Sequence, residues 1–265
     1  MLKNLSDMSD ATVLITGGLG YLGCVMAETL AEHGAEIIIL DKDDAKCDIL
    51  KKNLHANFGI NCQFIQCNLE IEQERTNAIE NLKNNKTRVS CLINNAAYVS
   101  GTNMLGWTTS FEKQSLEVWR RAIEVNLTAA FHFAQAFSPE LKNEKDGNII
   151  NITSIYGQLG PDWDLYKDTQ MGNPAAYSVS KGGLEQLTRW LATTLAPEVR
   201  VNAVCPGGIS RNQPSNFVSR YEKRTPMKRM ATENDFKGVI SFLASQQSSY
   251  VTGQTINVDG GFSSW

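Results

Sequence analysis

Seven short runs rich in Val, Ile and Leu recur along the chain, and helix-length segments separate them. They are ATVLIT (11–16), EIIIL (36–40), CQFIQ (62–66), VSCLIN (89–94), NIINIT (148–153), VRVNAV (199–204) and QTINV (254–258). A strand that is apolar at every position has no face to offer water, so it must be covered on both sides. Parallel neighbours also need a crossover of a dozen or more residues, and stretches such as 43–57, 70–84 and 116–141 supply helices of that length. The alternation predicts an α/β fold: a doubly wound parallel sheet of Rossmann type, about seven strands with helices on both faces. Thr232, three residues before Asp235, predicts a capping box at the start of the last helix, over 233–244.

Two connections are much longer than the others, 155–176 and 207–231. Loops of that length in a compact domain usually carry function. No repeat, low-complexity tract or flexible linker interrupts the pattern, so a single domain is expected over residues 1–265. A chain of this size buries about three-quarters of its unfolded surface and needs no staple. Accordingly, the six cysteines are scattered, with no C-x-x-C and no zinc-type spacing. They read as reduced, buried thiols of a cytoplasmic protein, and no metal is expected. No signal-peptide h-region and no apolar run of membrane-spanning length is present, so no membrane partner is expected. The net charge of −3 and pI of about 5.7 leave no basic stripe for nucleic acid.

Directly after the first strand, residues 16–23 read TGGLGYLG, and Gly18, Gly20 and Gly23 fit G-x-G-x-x-G. The pattern alone is weak. Here it joins a strand to a helix, where free amides and the positive end of the helix dipole attract an anion. Asp41 closes the second strand, at the place where a carboxylate can accept from a ribose diol. It would repel a 2′-phosphate, which favours NAD over NADP, although the adjacent Lys42 could soften that preference.

Further along, YSVSK (177–181) puts Tyr177 and Lys181 at i and i+4, side by side on a helix. Such a pair is common on solvated helices. The added weight comes from NNAA (94–97), SIYG (154–157) and PGGI (206–209), each at the carboxyl end of a predicted strand, the ligand-binding edge of such a sheet. A phenol of reference pKa near 10 is a poor base at neutral pH, and a nearby ammonium is the kind of group that would lower it.

With these motifs the chain resembles the short-chain dehydrogenase/reductase family over essentially its whole length. The match runs from the loop at 16–23 through Asn94–Ala96, Asn126 in EVNLTAAF, Ser154, Tyr177, Lys181 and Pro206-Gly207 to VTGQTINVDGG. The resemblance implies a catalytic tetrad of Asn126, Ser154, Tyr177 and Lys181. In it Tyr177 is the general acid/base, Ser154 bonds the substrate oxygen, Lys181 also reaches the nicotinamide ribose, and Asn126 helps hold a water. It places the cofactor against Gly17, Gly20, Tyr21, Leu22, Gly23, Asp41, Asn68, Leu69, Asn95, Ala96, Tyr177, Lys181, Pro206, Gly207 and Ile209. Several positions depart from the family: Tyr21 stands where single-domain members usually have glycine, Asn68 replaces an acid, and Arg211 replaces a frequent threonine.

The 155–176 segment is longer than in most relatives and resembles a subgroup of reductases in bacterial surface-sugar and flagellin-glycan pathways. Flat aromatic faces beside carboxylates suit a polyhydroxylated ligand. Tyr156, Asp162, Trp163, Tyr166 and Arg211 are therefore expected to meet a small-molecule substrate, a sugar, sugar phosphate or nucleotide sugar. A surface excursion or subunit contact is the competing reading of this segment. The six cations between Arg211 and Arg229 could receive a phosphate or form a solvated helix. The expected activity is hydride transfer between NAD and a secondary alcohol or ketone. A nucleotide-sugar epimerase or dehydratase, and a non-enzymatic NAD-sensing module, are the alternatives. The resemblance also implies a homodimer or homotetramer paired through the helices of Asn126 and Tyr177, with Leu184, Leu187 and Leu191 as either contact or core.

Overall fold

The computed structural model describes residues 2–99 and 104–265. Seven parallel strands form one sheet: β1 (Thr12–Thr16), β2 (Glu36–Asp41), β3 (Cys62–Gln66), β4 (Cys91–Asn94), β5 (Gly147–Ile152), β6 (Val199–Pro206) and β7 (Thr255–Val258). Their order is β3-β2-β1-β4-β5-β6-β7. Among the described residues the α-helices are α1 (Leu2–Leu5), α2 (Tyr21–Glu32), α3 (Cys47–Phe58), α4 (Glu72–Asn84), α5 (Leu116–Ile123), α6 (Ala129–Lys142), α7 (Ala175–Leu195), α8 (Ser215–Arg224) and α9 (Lys237–Ala244).

Side-chain alternation along the strands builds two cores from one apolar run. Val13 and Ile15 of β1 pack on one face with Met26 and Leu30 of α2 and Ile240 and Leu243 of α9. Leu14 points the other way, into a cluster with Leu82 of α4, Phe133 and Phe137 of α6 and Leu191 of α7. This is why the strands read as continuous rather than alternating.

Strand β1 pairs with both β2 and β4, Thr16 standing level with Leu40 and Asn94. The order of the chain reverses there, which opens a crevice at the carboxyl ends of the strands. Two glycines make the first turn possible. Gly17 has φ +62°, and a Cβ on it would lie 2.8 Å from the Ala96 Cα. A Cβ on Gly23 would lie 2.6 Å from the Gly18 Cα, so only glycine lets α2 start against the loop.

Three features differ from the simplest reading of the sequence. The stretch 116–141 is not one regular helix, because a π-helical turn at Glu124–Thr128 joins α5 to α6 and carries Asn126. Such turns rotate the following helix and often sit at functional sites. The 207–231 connection contains α8, whose buried Phe217 and Tyr221 are spaced i, i+4 among cations. The capping box of Thr232 and Asp235 is present, but it opens a 3₁₀ turn, Glu233–Phe236, before α9.

Candidate active site

A cavity of about 900 Å³ occupies the crevice. Its lining includes Gly17, Gly20, Tyr21, Leu22, Asp41, Asn68, Leu69, Asn95, Ala96, Ser154, Tyr156, Tyr166, Tyr177, Lys181, Pro206, Gly207, Ile209 and Arg211. Gly23 lies behind the loop, as its packing role demands. The glycine loop is held from β4: the Asn95 Nδ2 donates to the carbonyls of Thr16 and Gly17, at 3.0 and 2.9 Å. Asp41 ends β2 and accepts from the Leu19 amide at 3.0 Å and the Lys42 amide at 2.8 Å. Asn68 caps the turn that follows β3 by accepting from the Glu70 amide at 3.1 Å.

These residues fit a dinucleotide. No side chain caps α2, and Gly20, the residue just before its first turn, faces the cavity. A Cβ on Gly20 would meet only the Gly17 carbonyl, at 3.2 Å, so the approach to the helix is open. Unpaired first-turn amides, a dipole and a carboxylate at the neighbouring strand end are the donor and acceptor set that a pyrophosphate and a ribose require.

At the other end of the cavity, Ser154 follows β5 and Tyr177 and Lys181 lie on the first turns of α7. Ser154 stands beside the Tyr177 phenol and favours its ionised form, and the Ser154 hydroxyl accepts from the Tyr156 amide at 3.2 Å. Lys181 is 1% exposed, and its Nζ donates to the Ile152 carbonyl at 2.6 Å, 6.0 Å from the Tyr177 ring centre. Asn126 does not line this cavity. Its amide joins two segments, accepting from the Tyr98 amide at 2.5 Å and donating to the Ser180 hydroxyl at 2.9 Å.

Electrostatics here run against the simple expectation from i, i+4 spacing. Burial holds the Tyr177 phenol above its ordinary value, opposed by the neighbouring Ser154 hydroxyl. Burial also pulls the Lys181 ammonium down to about 8. Each group is taken out of water, and desolvation disfavours the charged form of both. A lysine drawn to the Ile152 carbonyl does not by itself lower the phenol.

The long 155–176 segment folds over the substrate end through two 3₁₀ turns, Ile155–Gly157 and Trp163–Tyr166. Tyr166 is 9% exposed, and its hydroxyl meets that of Tyr156 inside the cavity. Trp163 lines an adjoining cavity of about 630 Å³ instead. Asp162 and Asp168 fasten the segment to α8, pairing with Arg224 at 3.1 Å and Arg220 at 3.5 Å. Arg229 pairs with Asp235 at 2.7 Å, and Lys228 donates to the Lys223 carbonyl at 2.8 Å. The cations of 211–229 are thus largely engaged within the fold, and Arg211 alone of those six lines the main cavity.

Trp107, Met104, Tyr98, Phe217 and Met230 also line the cavity and were not singled out in the sequence. They carry no motif; only the return of distant loops to one edge places them there. The histidines stand elsewhere: His33 bonds Ser241 at 2.8 Å, His132 accepts from Arg75 at 3.3 Å, and His55 is in the last turn of α3. All six cysteines are free, and no metal-binding cluster occurs among the described residues. No helix there is long and apolar enough to cross a membrane.

Comparison with known proteins agrees with this geometry. The family model described as enoyl-(acyl carrier protein) reductase matches residues 21–263. The post-translational flagellin modification protein A of Campylobacter coli is 28% identical over 96% of this chain and 99% of its own. A short-chain dehydrogenase from Leptospira borgpetersenii, solved with bound NAD+, is 32% identical with a TM-score of 0.84, covering 99% of this chain and 95% of its own. A gluconate 5-dehydrogenase from Burkholderia cenocepacia, solved with NADP and tartrate, is 25% identical with a TM-score of 0.86, covering both chains fully. The chain belongs to the short-chain dehydrogenase/reductase family of NAD(P)-dependent enzymes.

Proposed function

We propose that this oxidoreductase moves a hydride between NAD and a secondary alcohol or ketone of a sugar-derived small molecule, with Tyr177 as general acid/base. The observation that carries this reading is one cavity holding both the uncapped start of α2 and the Ser154–Tyr177–Lys181 group. A bound nicotinamide supplies the hydride acceptor or donor. Tyr177 exchanges the proton of the substrate oxygen, Ser154 bonds that oxygen, and Lys181 holds a positive charge within reach of the phenol and of a nicotinamide ribose. Asn126 positions the wall of the site through Tyr98 and Ser180.

The segments 155–176 and 207–231 are the substrate loops of a single-domain enzyme in this reading. The phenols of Tyr156 and Tyr166 give paired donors and acceptors for hydroxyls beside the reacting carbon. Because most cations of the second loop are engaged with carboxylates or carbonyls, an unphosphorylated sugar or sugar acid suits the site better than a sugar phosphate or nucleotide sugar. The likeness to a flagellin modification protein and to a gluconate dehydrogenase supports a carbohydrate substrate. A panel of sugars, sugar acids, sugar phosphates and nucleotide sugars, followed by NADH absorbance in both directions, tests it. Conversion of a nucleotide sugar without net change in NADH would favour an epimerase instead.

Asp41 makes NAD the expected cofactor, since a carboxylate at the end of β2 repels a 2′-phosphate. Asp41→Ala is expected to cut the NAD-over-NADP ratio of kcat/KM by about tenfold or more. A wild-type preference for NADP would overturn this.

Self-association is expected through α5, α6 and α7. Leu184 and Leu191 are core residues, at 1% and 5% exposure, so they do not supply the contact. Leu116, Phe131, Val179 and Trp190 project outward from these helices, with 69%, 42%, 50% and 55% of their surface exposed. Light scattering is expected to give a dimer or tetramer, and Trp190→Glu to shift it toward monomer; a wild-type monomer would refute the pairing.

A further inference from the structure

The loop that opens this site carries an aromatic ring where single-domain relatives usually have glycine. Tyr21 is the first residue of α2 and keeps 63% of its surface exposed. Two cations flank its ring: the Arg211 guanidinium carbon lies 4.5 Å from the ring centre and the Lys46 Nζ 4.7 Å. They arrive from different parts of the fold. Arg211 follows β6, on the substrate side, and Lys46 immediately precedes α3. Arg211 is in turn anchored, with its Nη1 2.5 Å from Glu233 and donating to the Ser210 carbonyl at 2.7 Å.

We propose that Tyr21 and Arg211 form a clasp across the cofactor cleft, which holds the dinucleotide and sets how fast it leaves. The proposal rests on the nicotinamide reading above. Both residues line the cavity, one from each wall. A guanidinium stacked on a ring uses its face, so its in-plane N–H groups stay available. Among the described residues both polar contacts of the Arg211 side chain use Nη1, which leaves Nε and Nη2 to meet an anion drawn to the α2 amides. A pyrophosphate seated there would be held by the amides at the helix start and by Arg211, while Tyr21 keeps Arg211 in place. Glycine at position 21 would leave that arginine tethered only through Glu233 and Ser210. Tyr21 is therefore a positioning residue, acting through Arg211. The clasp also joins the glycine loop to the 207–231 segment, so the cofactor and substrate walls close together.

The experiment is NADH binding without substrate, by fluorescence titration and stopped-flow release, on the full chain. Tyr21→Phe is expected to match wild type, because the ring face is kept. Tyr21→Leu, of similar apolar bulk but without a π face, is expected to raise the release rate and Kd about two- to fivefold. Arg211→Met should raise both by at least as much, and the double variant should go no further than Arg211→Met, since the two side chains act through one contact. Release from Tyr21→Leu at the wild-type rate, or effects of the two variants that multiply, would overturn the clasp. If wild type binds neither NADH nor NADPH, the cofactor reading fails as a whole, a result distinct from wild-type binding that Tyr21→Leu leaves unchanged.

Discussion

Tyr177→Phe is expected to reduce turnover by at least ~10²-fold while NADH affinity stays close to wild type. The substitution removes one oxygen from a site that otherwise keeps its shape. That oxygen stands beside Ser154 in the cavity, away from the glycine loop and Asp41 proposed above to hold the cofactor's other half. Burial raises the phenol's affinity for its proton above the ordinary value of 10, so wild-type oxidation should keep rising with pH through neutrality and beyond pH 10, as a larger share of Tyr177 can accept a proton. Reduction should hold level over that range and fall only once the phenol ionises, above pH 10. The phenylalanine variant should show neither limb. Near-wild-type turnover in that variant would remove Tyr177 from the chemistry, and a large loss of NADH affinity would assign it a binding role instead.

Lys181→Met is expected to abolish useful turnover and, at the same time, to stabilise the cofactor-free fold. The lysine is fully enclosed and its folded-state value is about 8, against 10.5 for an exposed lysine. Keeping it charged at neutral pH therefore costs the fold roughly 3 kcal/mol. Losing the bond to the Ile152 carbonyl returns about 1 kcal/mol of that. A net gain of about 2 kcal/mol should appear in urea or thermal unfolding at pH 7. The sign follows from linkage: between pH 8 and 10.5 the unfolded chain holds a proton that the folded chain has released, so wild-type stability rises with pH there. The advantage of Lys181→Met should be greatest below pH 8 and fade toward 10.5. A variant less stable than wild type at pH 7 would show that the ammonium is better compensated than its surroundings indicate. Weaker NADH binding should accompany the loss of turnover, and unchanged binding would confine Lys181 to the proton step.

The glycine loop and the Tyr177–Lys181 pair were legible because they are local. TGGLGYLG, Asp41 and the Tyr177–Lys181 pair need only a strand end, a turn or one helical turn to be placed. Arg211 was legible as an oddity after Pro206-Gly207, yet its place on the Tyr21 ring was not, since most of the chain lies between them. Asp162 read as a substrate contact from its neighbours in sequence. In the fold it faces Arg224 of α8. An exposed carboxylate finds whichever cation the tertiary structure brings near, and sequence proximity does not reveal which one that is.

What the sequence determined by itself was the parallel α/β architecture, its strand positions to within a residue or two, the glycine turn after β1 and the i, i+4 spacing of Tyr177 and Lys181. Hydrophobic period, glycine geometry and helical repeat act over a few residues and are written directly into the chain. Only the tertiary structure decided the rest: the π turn under Asn126, the burial that sets Tyr177 and Lys181, the aromatic wall around Trp107 and Phe217, and the contact between Tyr21 and Arg211. Those depend on which loops return to the same sheet edge and how much water they exclude, and desolvation and cross-loop contacts are properties of the assembled site rather than of any segment in it.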